Sequence, residues 1–191
     1  MPRSGKEARA RLLQAAIDLC LERGFDAVTA AEIAERAGVT ERTYFRHFAD
    51  KREVLFEGEN QLREQLTAAL EGISATEPPL KTLLVAFRAI VPMLEGNRAK
   101  AQPLAQVIAA TPALRERAAA KEAHLVDLLA RALRDRGVDE ESATIAARTG
   151  WGTLAQAMRR WHLDPGAGLD AHLQRAFRQL QMIVADLDRR D

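Results

Sequence analysis

The sequence predicts an all-α protein: an N-terminal three-helix domain with a helix-turn-helix, then a C-terminal helical bundle, about nine helices in total. Ala, Leu, Arg and Glu, which favour helices, dominate the composition. Apolar residues recur at helical spacing along nearly the whole chain, and almost no segment is typical of a strand. Short breaks rich in Gly, Pro or Asp separate the periodic segments. We expect one domain over residues 1–52 and a second over 53–191.

The breaks between periodic segments define the individual helices. They are Gly24, Gly38 and the stretches SATEPP, EGN, ATP, RGVD and DPGAG. The predicted helices span residues 5–23, 30–37, 41–47, 51–74, 79–95, 98–110, 112–136, 140–163 and 168–189. Two of the first three predicted helices are short, and the later helices are long. The fourth helix is therefore expected to connect a small module to a larger bundle.

Charge is balanced overall but uneven along the chain. The formal net charge of the 191 residues is +1, so no global field indicates a nucleic-acid partner. Residues 1–11 carry four basic side chains against Glu7, and residues 36–52 carry five against Glu41 and Asp50. Each stretch therefore sums to +3, and any contact with an anionic partner is expected there.

The cysteine count and the apolar runs limit the cellular setting. Cys20 is the only cysteine, which excludes an intramolecular disulfide and a cysteine metal cluster, and its helical position predicts a buried thiol. No apolar run resembles a signal peptide or approaches the roughly 18 residues of a membrane span. A cytoplasmic location with no membrane partner is expected.

Residues 29–48 contain the helix-turn-helix signals. Thr29 and Glu32 form a T-x-x-E capping box that begins the second helix. Gly38 supplies the left-handed residue that ends it, and Thr40 is a good N-cap for the third helix. Two helices joined by so tight a glycine turn must cross steeply, as in a helix-turn-helix.

The third helix has two different faces. Tyr44 and Phe48 lie four residues apart and are expected to form a small core with Ile33 and Ala37. The other side carries Arg42, Thr43, Arg46 and His47, with Phe45 at the border. Such a donor-rich surface suits the major groove and its phosphates, and Lys51 is placed for a further phosphate. The alternative interpretation is a merely solvated face.

Residues 8–58 resemble the DNA-binding domain of the tetracycline-repressor (TetR) family. The matching pieces are ARLLQAAIDLCLERGFDAVT, IAERAGV and TYFRHFADKREVLF. The resemblance implies a two-domain, all-helical homodimer in which Thr40, Thr43, Phe45, His47 and Lys51 contact DNA. The family usually has tyrosine at position 45, so Phe45 lacks a hydroxyl for phosphate and is left with apolar contacts to a sugar or a thymine methyl. The complete set of expected DNA-binding residues is Thr29, Thr40, Arg42, Thr43, Phe45, Arg46, His47 and Lys51.

The last two helices are expected to form a homodimer interface. The final helix has one long apolar stripe: Leu169, Leu173, Ala176, Phe177, Leu180, Ile183, Val184 and Leu187. The preceding helix is rich in small residues that allow close helix approach: Ala146, Ala147, Gly150, Gly152, Ala155 and Ala157. These helices could pair with their symmetry mates as a four-helix interface. The alternative is that the stripe only packs inside the monomer.

A small-molecule site is expected between helices five, seven and eight. The candidate ligand-binding residues border apolar faces: Phe87, Arg88, His124, Arg148, Trp151 and Gln156. A cavity there would suit a lipophilic, anionic effector, with Arg88 facing the anionic group. Each of these residues taken alone is more often a surface-edge polar residue or a core aromatic than a ligand contact.

Together these features predict a sequence-specific DNA-binding transcriptional regulator, a repressor released from a palindromic operator by a small lipophilic ligand. The alternative is a helical DNA-binding or interaction protein without an effector. No phosphate-binding glycine loop, metal-spaced ligand set or G-x-S-x-G motif is present, so no enzyme activity, cofactor, catalytic residue or metal ligand is predicted.

Overall fold

The computed structural model describes residues 2–187, and the predicted all-α fold is confirmed there. Nine α-helices lie in this part of the chain, together with two short 3-10 helices at Glu53–Phe56 and Pro165–Ala167. The α-helices are α1 Pro2–Arg23, α2 Ala30–Arg36, α3 Glu41–His47, α4 Gly58–Glu71, α5 Pro79–Gly96, α6 Arg98–Ala110, α7 Pro112–Arg134, α8 Glu140–Leu163 and α9 Gly168–Leu187. Residues 188–189, predicted to end the last helix, lie outside the described residues.

The predicted helix over 51–74 is the main error of the helix assignment. Asp50 Oδ1 accepts hydrogen bonds from the amides of Arg52 (2.7 Å) and Glu53 (3.0 Å). The capped turn continues into the 3-10 helix, in which the neighbouring Val54 and Leu55 are both buried. A capping side chain and two adjacent buried residues therefore hold this segment in a tight turn, and α4 begins only at Gly58.

The first compact unit, which we call the head, contains the described residues up to Gln61 together with Asn97–Ala120. Val107 of α6 and Leu114 of α7 are buried in the same core as the residues of α1, α2 and α3. The predicted boundary after residue 52 differs from this division, because it assigned the whole of 53–191 to the second domain. Apolar periodicity alone cannot indicate which of two cores a helix completes.

The second unit, which we call the bundle, contains Leu62–Gly96 and the described residues from Lys121 onward. Its core brings α5, α8 and α9 together around buried Phe87, Trp161 and Phe177. Glycine at position 150 allows close packing, because a Cβ there would lie 2.6 Å from Cδ1 of buried Leu83 and would force that side chain to shift. No helix of the described chain combines the length and the apolarity that crossing a lipid bilayer requires.

The small residues of α8 correct one expectation. Ala155 is partly buried and Gly152 is exposed. The other four small residues are buried inside the bundle: Ala146, Ala147, Gly150 and Ala157. Most of the small-residue surface thus allows helices of the same chain to approach each other. It is not chiefly a surface for a second copy, because α5 and α9 of this chain already cover it.

Candidate nucleic-acid interface and ligand site

The capping box at Thr29 begins α2 and involves the whole side chain. The Thr29 hydroxyl accepts from the Glu32 amide (3.2 Å) and donates to Glu32 Oε2 (2.8 Å), while the Thr29 amide donates to the same oxygen (2.8 Å). These bonds and Arg23 lower the pKa of Glu32 to about 2. The predicted cap is confirmed, and the only hydroxyl proton of Thr29 is engaged within the head.

The turn between α2 and α3 has the predicted glycine geometry. Gly38 adopts φ 67°, its amide donates to Glu35 O, and the Val39 amide donates to Ala34 O, both at 3.0 Å. This pair of bonds is a Schellman motif, which ends a helix at a left-handed residue. Thr40 then caps α3 by accepting from the Thr43 amide at 3.2 Å.

The inner face of α3 anchors the helix. Tyr44 is fully buried, its hydroxyl donates to Asp50 O (3.3 Å), and its ring lies 5.6 Å from that of Phe48. Burial raises the pKa of the Tyr44 hydroxyl well above its usual value. Ile33 and Ala37 are buried in the same core. The predicted small core is therefore confirmed.

The outer face of α3 carries free cationic charge. Arg42 and Arg46 are exposed, and neither has an ion-pair partner among residues 2–187. In contrast, Arg23 and Arg36 of the head are paired with Glu32 and Glu22. The two α3 arginines therefore keep all their donors for a partner.

Phe45 and the two threonines complete this outer face. Phe45 is 51% exposed although it is a large apolar side chain, and its ring contacts Tyr44 edge-on at 5.4 Å. The hydroxyls of Thr40 and Thr43 lie 3.0 Å apart and share one hydrogen bond. Thr40 is exposed and Thr43 is half-buried, so both can reach a partner that covers this end of α3.

His47 is less accessible than predicted. It is half-buried, and its Nε2 is buried without a hydrogen-bond partner in the part of the chain that the structure describes. Burial lowers the pKa of the imidazole, and the charges of Arg9 and Arg46 lower it further against the opposing effect of Glu57. The position of His47 at the last residue of α3 turns part of the ring toward the head, which the helical spacing alone did not indicate.

Lys51 differs most from its predicted placement. Its Nζ donates to the carbonyl oxygens of Phe25 and Val28, both at 2.7 Å, and lies 4.1 Å from the centroid of the Phe25 ring. Sequence position suggested a lysine directed at a phosphate. In the structure the ammonium group is bound within the head.

Arg9 is a residue of this region whose role was missed. It donates from Nη1 to both carboxylate oxygens of Glu57 (2.9 and 3.1 Å), and its guanidinium lies 5.7 Å from the Phe48 ring centroid. Arg9 and Glu57 are 48 positions apart in the sequence. In the sequence Arg9 appears only as part of a basic stretch, and no local signal links it to Glu57.

The six predicted ligand-binding residues do not form one site. Phe87 is buried and its ring lies 6.5 Å from that of half-buried Trp151. The indole Nε1 of Trp151 donates to Glu122 Oε1 at 2.9 Å. The other four predicted residues are exposed: Arg88, His124, Arg148 and Gln156.

Arg88 cannot face an anionic ligand in this arrangement. Its guanidinium donates to both carboxylate oxygens of Asp170 on α9, at 2.7 and 3.2 Å. Gln156 is likewise engaged, since it accepts from Arg159 at 2.8 Å. The predicted headgroup partner is thus neutralised by a residue 82 positions away, a pairing that only the packing of α5 against α9 creates.

A groove of about 270 Å³ lies between α8 and α9. It is lined by Thr149, Gly152, Thr153, Gln156, Ala176, Gln179, Leu180 and Ile183. Of the predicted ligand residues only Gln156 borders it. The C-terminal part of α9, at and beyond the groove, exposes about half of Met182, Ile183 and Val184.

The N-terminal segment that builds this surface matches a family model. Residues 12–57 match the model described as bacterial regulatory proteins, tetR family. Over 86 residues the chain is 40% identical to the HTH-type transcriptional regulator TcmR of Streptomyces glaucescens, which covers 45% of this chain and 38% of TcmR. The matched stretch thus spans well under half of that curated relative.

Solved structures match over nearly the whole length. The structure of Thermus thermophilus FadR, a TetR-family transcriptional repressor in complex with lauroyl-CoA, is 28% identical with a TM-score of 0.50, covering 91% of this chain and 93% of FadR. NalD of Pseudomonas aeruginosa, the secondary repressor of a multidrug efflux pump, is 25% identical with a TM-score of 0.60, covering 91% and 96%. The helix-turn-helix segment is thus similar to the tetR family of bacterial regulatory proteins, and the fold of the described residues is similar to that of these two regulators.

Proposed function

We propose that the protein is a DNA-binding transcriptional regulator that inserts α3 into the major groove. The observation that carries the proposal is the outer face of α3, where Arg42 and Arg46 are exposed and have no ion-pair partner among the residues described. An arginine fork can donate two hydrogen bonds to guanine O6 and N7. Buried Tyr44 on the opposite face fixes the rotation of the helix, so both arginines are held toward the same partner.

The remaining predicted contact residues divide by their placement. We assign Thr40 and Thr43 to backbone phosphates, because hydroxyls at the start of a recognition helix position a protein without reading bases. Phe45 is assigned to an apolar contact with a sugar or a thymine methyl, and His47 to a contact through the exposed part of its ring. Thr29 contributes by holding the start of α2 through its capping box.

Selection from a randomised duplex library tests this assignment and identifies the operator in the same experiment. The wild-type protein should enrich one sequence, and Arg42→Ala and Arg46→Ala should each weaken binding to it by about 1–3 kcal/mol and relax one position. Arg131→Ala, which removes an exposed arginine of α7, is the matched control and should leave binding unchanged. Equal losses in all three variants would contradict a reading role for α3.

We further propose a homodimer through α8 and α9 that reads a palindromic operator. The proposal is supported by the exposed apolar side chains of α9, because a patch of this kind marks an interaction surface. Two symmetric heads would contact two half-sites, and the enriched duplex should then be a palindrome.

Two exposed apolar residues provide a test of the dimer. Ile183 of α9 is 56% exposed, and Val85 of α5, a helix outside the proposed interface, is 41% exposed. Sedimentation should show a dimer for the wild type and for Val85→Glu, and a monomer for Ile183→Glu. A dimer that survives Ile183→Glu would contradict this interface.

We finally propose that a lipophilic effector enters the bundle beside Phe87 and Trp151 and releases the DNA, which makes the protein a repressor. The FadR neighbour, which holds lauroyl-CoA, supports this class of ligand. Release requires only that the ligand prefer the DNA-free conformation by a few kcal/mol. The half-buried indole of Trp151 would report such a ligand directly.

Lauroyl-CoA is a suitable probe. Its titration should change the fluorescence of the wild type and reduce affinity for the enriched duplex, whereas Trp151→Phe, which retains Trp161, should lose most of the fluorescence change. Unchanged fluorescence and unchanged DNA affinity with lauroyl-CoA and with free dodecanoate would favour the alternative, a regulator without an effector.

A further inference from the structure

We propose that Glu95 of α5 is a positioning residue that fixes the start of α9, and with it the direction of the apolar face of that helix. Glu95 Oε1 accepts a hydrogen bond of 2.7 Å from the amide of Leu169, the second residue of α9. Glu95 and Leu169 lie 74 positions apart in the sequence. The carboxylate therefore acts as an N-terminal cap that a different helix supplies.

The sequence before Leu169 explains why the cap comes from another helix. Residues 166–168 are Gly, Ala and Gly, so none of them has a side chain that can accept a hydrogen bond. The first amides of a helix have no acceptor within the helix, and a carboxylate near them also interacts favourably with the helix dipole. Glu95 thus satisfies a donor that the side chains of residues 166–168 cannot satisfy.

A second polar contact joins the same two helices. Arg88 lies seven residues before Glu95 and therefore on the same face of α5, and it is paired with Asp170 in the first turn of α9. This exposed ion pair contributes little to stability by itself. Apolar packing has no preferred direction, whereas a hydrogen bond joins two particular atoms. The bond between Glu95 and the Leu169 amide therefore determines where the first turn of α9 lies against α5.

The direction of the apolar face depends on the first half of α9, because only that half is anchored in the core. Leu169, Leu173 and Phe177 are buried in the bundle, whereas none of residues 178–186 is buried. Ile183 lies about 21 Å beyond Leu169, since a helix rises about 1.5 Å per residue. A small change in the direction of the first turn is therefore amplified at Ile183. The consequence for assembly rests on the homodimer proposed above.

Hydrogen exchange of the full-length protein, followed for individual amides by NMR, tests the cap directly. Glu95→Ala should raise the exchange rate of the Leu169 amide by about tenfold or more, because the amide loses its acceptor. Glu71→Ala, at an exposed glutamate of the bundle that ends α4, is the matched control and should leave that rate unchanged. An unchanged rate in Glu95→Ala would overturn the proposal.

The dissociation constant of the dimer, measured by sedimentation over a dilution series, separates positioning from simple stabilisation. Glu95→Ala should raise this constant about tenfold, although α5 lies outside the proposed interface. Glu95→Gln retains an oxygen that can accept from the Leu169 amide, and its constant should stay close to that of the wild type. An unchanged constant in Glu95→Ala, even with a lower Tm, would overturn the proposal. If the wild type is a monomer, the proposed dimer fails, while hydrogen exchange still tests whether Glu95 fixes the start of α9.

Discussion

The head and the bundle are stabilised in different ways, although both are purely helical. In the head, helix ends are set by side chains three residues from their partners, as in the pairs Thr29–Glu32 and Thr40–Thr43. The bundle also has such a cap, Asp139 on the Ser142 amide, but its core depends on contacts between distant residues, such as Gly150 against Leu83. Short-range caps can be identified from the sequence, whereas contacts between distant helices cannot. The sequence therefore predicted the caps correctly and missed the long-range contacts.

Both regions contain arginines whose charge is occupied by a carboxylate. Arg88 of the bundle is paired with Asp170, and Arg9 of the head is paired with Glu57. Exposed or partly exposed pairs of this kind contribute little to stability, and their main effect is to occupy the charge. Arg42 and Arg46 of α3 have no such partner among the residues described, so their charge remains available to a partner.

The largest expected effect tests the anchoring of α3 in the head. Tyr44→Ala should reduce the free energy of unfolding by about 3–5 kcal/mol, because it removes a fully buried aromatic ring. Phe45→Ala, the control at the neighbouring exposed ring, should cost less than about 1 kcal/mol. Urea unfolding followed by circular dichroism measures both. Similar losses would mean that α3 is rotated relative to the arrangement described.

A smaller effect, of opposite sign at two nearby positions, tests packing in the bundle. Gly150→Ala should destabilise by about 1–3 kcal/mol, because its Cβ would meet buried Leu83 at 2.6 Å. Gly152→Ala meets nothing within 4 Å and should stabilise by up to about 1 kcal/mol through helix propensity. Urea unfolding followed by the fluorescence of the two bundle tryptophans measures the difference. Destabilisation by both variants would show that position 152 is also covered.

In both regions a glycine in the left-handed conformation ends a helix, and its replacement should lower the free energy of unfolding by the same amount in each. Gly38 of the head has φ 67° and Gly137 of the bundle has φ 87°, and a Cβ would meet open space at both. Replacement of either by Ala should cost about 1–2 kcal/mol from backbone strain alone. Unfolding measurements on the two variants check the equality. A much larger loss at Gly38 would show that the turn angle itself supports the head.

The smallest expected effect is the loss of stability at acidic pH. The folded-state pKa of Glu32, about 2, lies below its ordinary value of 4.5, so its contribution to stability is complete above about pH 4.5 and is lost as the pH falls toward 2. The Tm difference between the wild type and Glu32→Gln should therefore shrink over this range. Glu35→Gln, at an exposed glutamate of the same helix, serves as the control. A constant difference between wild type and Glu32→Gln would contradict the capping role of the carboxylate.

The amino-acid sequence alone is enough to specify most of the helices, the helix-turn-helix and the inner face of α3. Thr29, Gly38 and Thr40 act on amides and carbonyls within a few residues of themselves, so their effect does not depend on the rest of the fold. Tyr44 and Phe48 are buried as their four-residue spacing predicts. These signals act over only a few residues, so a short stretch of the sequence is enough to identify them.

Packing in three dimensions decides what the charged side chains do and which core each helix completes. Lys51 is bound to carbonyls more than twenty residues away, Arg9 to Glu57, and Arg88 to Asp170. Residues 97–120 return to the head, where Val107 and Leu114 complete its core. A long cationic side chain has many acceptors within its reach, and an apolar helix face fits more than one core. The choice among them depends on which distant elements packing brings close, and that information is spread over the whole chain.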